Sequence, residues 1–334
     1  MWWVLGLVSE ALACGGIFHE DGALAESSGQ QAILTPGDGF VDITYRTGVQ
    51  ADVREFAWVL PAAGEVTEVA DGEVEDFDDL FYGTLPEEDF KSEGGGCFAG
   101  AAAKDGGAND LEQGSGFTGT YDYTILDASD PAALLTWLDD HGFDVGDLDG
   151  VIEEYSLEEG YQFVAISLNS GTDEDLYAEL PPIRIRHSGD SVVYPARMAW
   201  HNNMQELSTR LYVVGDQRAR ISDGWSETEL PLVWEAGESS DYVGGELLSS
   251  EISKIGEDGG FALMYSGEVS GSWVTRYETV APASIYAEDV VFALDGGESE
   301  FRTLLSNQGG CNKPEQAWVL LLPLGLLARR RKTP

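Results

Sequence analysis

The chain has 334 residues, with 60 acidic against 18 basic side chains and a formal net charge of −42 at neutral pH. A field of that sign repels phosphate backbones and anionic headgroups, so it argues against nucleic-acid binding and leaves cations and basic partners as what it attracts. The 43% apolar content, with 9 Trp, 13 Tyr and 13 Phe, excludes a disordered acidic chain and predicts a folded body.

At the N-terminus residues 2–8 are apolar, and Ala11-Leu12-Ala13 gives the small-x-small pattern of a cleavage site before Cys14. No positive n-region precedes them, as in a signal peptide over 1–13 that is truncated at its start. The first strands are expected at 31–34, at 40–45 with Val41, Ile43 and Tyr45 alternating, and at 54–60 ending at Pro61. Pro36-Gly37-Asp38-Gly39 reads as the turn joining the first two. Residues 75–82 carry Phe77, Leu80 and Phe81 at helical spacing, with Glu75, Asp76, Asp78 and Asp79 on a solvated face. From 94 to 119 the composition shifts to Gly, Ala and small polar residues, which reads as a long surface loop around Cys97.

A strand at 121–126 leads into the clearest helix. Asp130 is its expected N-cap, Pro131 suits the first position, Leu134, Leu135 and Leu138 form a stripe, and Gly142 suits the stop. A second helix is expected at 148–155, followed by strands at 161–168, 183–187, 207–214, 260–265 and 273–279. Most connections are too short for crossover helices. The fold class expected is α+β, mainly antiparallel β-sheet with two or three short helices, as one large or two coupled subdomains over 14–303.

No chemistry stands out along this body. There is no Gly-x-Ser-x-Gly elbow, and the four histidines, His19, His141, His187 and His201, sit in unrelated contexts that read as surface or helix-end positions. Neither paired His spacing nor Cys-x-x-Cys supports zinc. Asp144, Asp147, Asp149-Gly150 and Glu153 resemble a calcium-loop fragment, but their spacing departs from the EF-hand and suits capping of the second helix better. Gly94-Gly95-Gly96-Cys97 lacks the Lys-Ser/Thr ending of a phosphate loop. Trp58, Trp200, Trp225, Trp234 and Trp273 read as core aromatics in a strand-rich body. No cofactor is expected.

Several stretches, in order, resemble the bacterial family called domain of unknown function 2330. They are Cys14-Gly15-Gly16-Ile17-Phe18, Phe56-Ala57-Trp58-Val59-Leu60-Pro61, Gly119-Thr120-Tyr121-Asp122-Tyr123-Thr124-Ile125-Leu126, the segment 134–143 with Trp137-Leu138, Tyr161-Gln162-Phe163-Val164-Ala165, Pro182-Ile183-Arg184 and Trp273-Val274-Thr275-Arg276-Tyr277. The resemblance implies export and supplies no activity or catalytic residue.

The C-terminus reads as an address. After a linker at 304–316 with Gly309-Gly310-Cys311, an apolar run at 317–328 meets Arg329-Arg330-Arg331-Lys332. A run of about twelve residues reaches only about 18 Å against a hydrocarbon core of about 30 Å. The cations hold such a tail on the cytoplasmic side during export. Gly310-Cys311, the apolar run and the Arg cluster resemble the myxobacterial C-terminal sorting signal, which implies that Cys311 is processed and lipid-linked. Cys14 and Cys97 then remain as a candidate disulfide that closes a loop of about eighty residues and contributes about 4 kcal/mol; two unrelated thiols, or lipidation of Cys14, are the competing readings. The chain is expected to be an exported, surface-anchored, non-catalytic cell-envelope protein with an unidentified ligand. Its expected partners are the membrane, reached through the tail or the processed Cys311, and the export and sorting machinery. The alternatives are an envelope hydrolase whose site assembles across distant segments and a calcium-dependent adhesin.

Overall fold

The structure, a computed structural model, describes residues 16–19, 26–50, 56–89, 115–142, 149–158, 160–168, 180–199, 206–234 and 246–306. Cys14, Cys97, Cys311, Trp200, His201, Asp144, Asp147 and the whole apolar and basic tail lie outside them. Strands β1 (Gly16–His19), β2 (Glu26–Pro36), β3 (Phe40–Gln50), β4 (Phe56–Ala62) and β5 (Val66–Asp71) precede helix α1 (Val74–Gly83). After β6 (Glu87–Asp89), β7 (Ser115–Phe117) and β8 (Tyr121–Asp127) come α2 (Pro131–Asp140), α3 (Asp149–Ser156) and β9 (Gln162–Leu168). Next follow β10 (Ile183–Ser188), β11 (Val192–Tyr194), β12 (Leu207–Gly215), β13 (Arg220–Asp223), β14 (Ser226–Glu229) and β15 (Leu232–Trp234). Helix α4 (Glu246–Glu257) leads to β16 (Gly260–Val269), β17 (Ser272–Ala281), β18 (Val290–Ala293), β19 (Phe301–Arg302) and β20 (Leu304–Ser306).

A five-stranded antiparallel sheet has the order β1-β4-β9-β8-β7. A nine-stranded sheet runs β14-β16-β17-β12-β2-β3-β10-β5, with β19 added to β16. Two of its joins, β12 with β2 and β14 with β16, are parallel, and the others are antiparallel. Small sheets β11-β18-β13 and β15-β20-β6 complete the set. The class is α+β with mainly antiparallel sheet, as the alternation and the short connections predict.

The layers follow from which strand faces are apolar. In β4, Trp58 and Leu60 join a core shared with Leu34, Ile43 and Phe261 of the large sheet, while Ala57 and Val59 face Leu134, Leu138, Val151 and Ile152 of α2 and α3. A strand buried on both faces reads as a near-continuous apolar run, which is what residues 56–61 are. The far face of the large sheet is covered in turn. Phe77 of α1 packs with Ile33, Tyr212 and Val274, and Ile252 of α4 packs with Ala262 and Met264. The stack is therefore helices, small sheet, large sheet, helices, with a continuous core between the sheets.

Local signals account for the corners. The β2–β3 turn closes with the Gly37 N–H donating to Phe40 O at 2.8 Å, and Gly39 has φ 80°. Ser270 and Gly271, both at positive φ, form the two-residue link between β16 and β17, whose twist suits a hairpin. Gly142 stops α2 at φ 82°. Asp130 occupies the N-cap position of α2 but makes no side-chain capping bond. The preceding turn is closed instead by Asp127, whose Oδ1 accepts the Ser129 N–H at 2.9 Å.

Several elements depart from expectation, among them the short strands β5, β6, β11, β13, β14, β15 and β18, for which no strand was expected. Helix α4 brings the number of α-helices among the described residues to four. Strand β7 lies within the stretch expected to be loop through 119, and β20 within the stretch expected to be linker. Short strands of this kind are set by their partners; β20 is fixed by parallel pairing with both β6 and β15.

Helix α4 approaches β17 closely at Gly256, where an added Cβ would stand 2.1 Å from Val280 O. Ala is a better helix former than Gly by about 1 kcal/mol, but here a backbone carbonyl blocks it. Gly256→Ala is expected to lower stability by about 1–3 kcal/mol in urea denaturation, the cost of overpacking. A stabilised variant would contradict the close packing of α4.

Candidate functional site

A cleft of about 610 Å³ opens where ends of the two large sheets meet. The β4–β5 turn supplies Gly64 and Glu65, the last residue of β8 and the connection to α2 supply Asp127 and Ser129, and the end of α3 supplies Ser156, Leu157 and Glu158. Gly160, Tyr161 and Gln162 enter with β9, and Ser188 with the end of β10. The frame is stitched across the sheets. Glu65 N–H donates to Ser188 Oγ at 3.1 Å, Ser188 N–H donates to Glu65 O at 2.8 Å, and Val66 N–H donates to Gln162 Oε1 at 2.7 Å. Gly64 is required there, because a Cβ would fall 2.0 Å from Ser188 O.

Behind the cleft lies a buried polar network. Asp289, just before β18, accepts Tyr155 Oη–H at 2.8 Å, Tyr161 Oη–H at 3.3 Å, the Arg197 backbone N–H at 3.0 Å and Arg197 Nη2–H at 2.9 Å. The Arg197 guanidinium sits 4.1 Å from the centre of the Tyr155 ring and pairs with Glu158 at 2.6 Å on the cleft wall. Burial, followed by the nearby Asp289 carboxylate, pushes both tyrosine hydroxyls well above their ordinary value. They stay protonated as donors at neutral pH. On the rim, the hydrogen bonds from the Ser129 side chain and backbone hold Asp127 below the usual carboxylate range.

The lining thus combines carboxylates, hydroxyls and one apolar wall. Leu157 supplies that wall and is 85% exposed. Such a surface can hold a cationic or hydroxyl-rich ligand by charge-assisted hydrogen bonds. Among the described residues neither His nor Cys lines it.

The residues singled out from sequence fall elsewhere. All three cysteines lie outside the described residues, so neither the Cys14–Cys97 pairing nor a role for Cys311 receives a geometry. His141 is the C-cap residue of α2, exposed and stacked on Trp137 at 4.2 Å. His187 corrects the expectation of a surface residue. It is 1% exposed, burial lowers its pKa, and its buried Nε2 has no hydrogen-bond partner among the described residues. Alternation along β10 puts Ile183, Ile185 and His187 on one inward face, a phase readable in the sequence. Glu75, Asp76, Asp78 and Asp79 are exposed on α1, as expected of a solvated face. Asp149 opens α3, and among the described residues no three His, Cys, Asp or Glu groups stand close enough to hold a metal ion. Trp58 and Trp225 are core residues, and Trp273 Nε1–H donates to Ser266 Oγ at 3.0 Å. Sequence reasoning missed the cleft and its network, because Asp289 and Tyr155 are 134 positions apart.

A family model described as uncharacterized protein conserved in bacteria, DUF2330, matches residues 8–293. The chain belongs to this family. The DUF2330 match takes in every residue of the cleft and Asp289, and stops short of β19, β20 and the tail. No curated protein matches the chain. Among solved structures the DUF2330 chain is similar to the crystal structure of baculovirus P35, at 11% identity and a TM-score of 0.40, over 82% of this chain and 98% of that one. At that TM-score the likeness says nothing about activity.

Proposed function

We propose that this chain is an exported, surface-anchored cell-envelope protein that holds a ligand in the cleft between its two large sheets without transforming it. The observation that carries the binding role is the cleft itself, whose size suits a small molecule or a few side chains and whose wall exposes Leu157 beside carboxylates and hydroxyls. The location is supported by the sequence: Gly310-Cys311, the apolar run 317–328 and Arg329-Arg330-Arg331-Lys332 fit a sorting tail. Among the described residues no helix is long and apolar enough to cross a membrane.

Fractionation of cells expressing a chain that stops at Asn307 tests the location. That end point keeps β20 paired, so the body retains its last strand. Release of the shortened protein into the medium is expected, and firm cell association equal to that of the full chain would sink the anchoring role. Cys311→Ser asks the narrower question of lipid linkage, with unchanged surface retention counting against Cys311.

A further inference from the structure

We propose that His187 is a proton-operated latch at the corner where β5 begins and β10 ends: the neutral ring packs there and keeps the corner shut, and the protonated ring drives β5 away from β10 and opens that end of the cleft. Strand β5 ends the nine-stranded sheet, and among the described residues it pairs on one side alone, with β10. The pairing is already irregular at this point. Arg186 stands opposite Glu68 and His187 opposite Val66, which leaves Thr67 as the extra residue of a bulge. Beyond the bulge the corner closes on two hydrogen bonds, from Glu65 N–H to Ser188 Oγ and from Ser188 N–H to Glu65 O. Gly64, Glu65 and Ser188 of this corner line the cleft.

The surroundings of the ring suit one protonation state. His187 Nδ1 lies 3.1 Å from Ser188 O, which can only accept, so the neutral ring carries its hydrogen on Nδ1 and leaves Nε2 bare. That Nε2 is buried with no hydrogen-bond partner among the described residues, in a residue that is 1% exposed. A proton arriving there creates a buried charge and a donor with nothing to receive it, and both are costly. Nearby charges do not compensate. Asp42 of β3 and Glu68 of β5 lie on the opposite face of the sheet, engaged by Arg184 and Arg186, while Asp38, Glu65 and Asp190 are exposed in the adjoining turns. Strands β4 and β9, which bring the facing sheet to the core around Val41 and Val66, contain no ionisable residue. Burial accordingly lowers the His187 pKa, against smaller upward pulls from the Ser188 carbonyl and the Asp42 carboxylate. Gly64 packs so closely that an added Cβ would stand 3.1 Å from Nδ1 and 2.0 Å from Ser188 O, so the ring has no room to turn on that side. A charged ring must reach water, and the strand with a neighbour on one side only is the one that yields.

The closed corner therefore holds this proton less tightly than the open one. Closure is complete above about pH 6.5 and weakens below it, by up to about tenfold in the opening equilibrium for each pH unit. Glu278, with a pKa of about 2, titrates far below this range. Hydrogen exchange of the full chain at about pH 7.5 and about pH 5.5, corrected for the intrinsic exchange rate, tests the latch. Protection of residues 64–71 is expected to fall about tenfold at the lower pH, while the central strands β12 and β17 keep theirs. His187→Leu, which places an apolar side chain there, and His187→Gln, which is neutral at both pH values, should each hold that protection constant. His141→Gln, at an exposed position, should respond as the wild type does. Unchanged protection of residues 64–71 in the wild type, an equal fall in β12 and β17, or a fall that persists in both His187 variants overturns the proposal. Should neither variant fold, a wild-type fall confined to residues 64–71 and to the range below about pH 7 supports it, and one that begins only below about pH 5, in the carboxylate range, overturns it.

Discussion

Asp289→Ala is expected to destabilise the protein by about 3–5 kcal/mol, because it removes one partner of a buried ion pair and leaves the other behind. The Asp289 side chain is only 7% exposed and Arg197 11%, so water replaces little of what is lost. Two tyrosine hydroxyls and the Arg197 backbone N–H lose their acceptor in the same step. Glu158 still pairs with Arg197, but at 42% exposure it offers a screened contact and no acceptor for the tyrosines. Urea denaturation should show a lower midpoint with unchanged slope. A double-mutant cycle with Arg197→Met should give a combined loss smaller than the sum. A loss under about 1 kcal/mol for Asp289→Ala would show that the network contributes little.

The second large effect is expected at Glu278, on the face of the large sheet that α1 covers. Its Oε1 accepts from Arg210 Nε and from Arg276 Nε, the latter at 2.9 Å, and Arg276 Nη1 also donates to Thr84 O at 3.1 Å at the end of α1. Phe81 of α1 lies 4.8 Å from the Arg210 guanidinium and 5.1 Å from that of Arg276. Burial pushes the Glu278 carboxyl up, but Arg276 and Arg210 together outweigh it and pull its pKa down from 4.5 to about 2. The folded state therefore holds this proton less tightly than the unfolded state. The resulting stabilisation, about 3 kcal/mol, is complete above about pH 4.5 and is lost as pH falls toward 2. Glu278→Gln should cost about that much at pH 7, and the gap between variant and wild type should close on acidification. A gap that stays constant from pH 7 to pH 2 would refute the linkage.

Much of the fold is legible in the chain because its signals are local. The alternation of Val41, Ile43 and Tyr45, the glycines of the β2–β3 turn, and Pro131 with Gly142 around α2 each place an element from a few neighbouring residues. Several short strands were not anticipated, and β20 is one with little local signal. Three residues at β20 say nothing of a strand until β6 and β15, 217 and 72 positions before it at Leu304, supply the hydrogen bonds. Helix α4 carried a readable spacing at Leu248, Ile252 and Ile255, diluted by four serines and glycines of low helix propensity, Ser249, Ser250, Ser253 and Gly256. The candidate site was the least legible. Its charges sit in ordinary turns, and only the folding of one sheet end against the other brings Glu65, Asp127 and Glu158 around one cavity.

The pairing of β20 also bears on force. Its neighbours β6 and β15 both run parallel to it, so a pull on the chain beyond Ser306 acts along the strand and loads the hydrogen bonds on its two edges together, in shear, instead of peeling them one at a time. A body tethered through its C-terminus would transmit tension into residues 87–89 and 232–234 at once, two segments far apart in the chain.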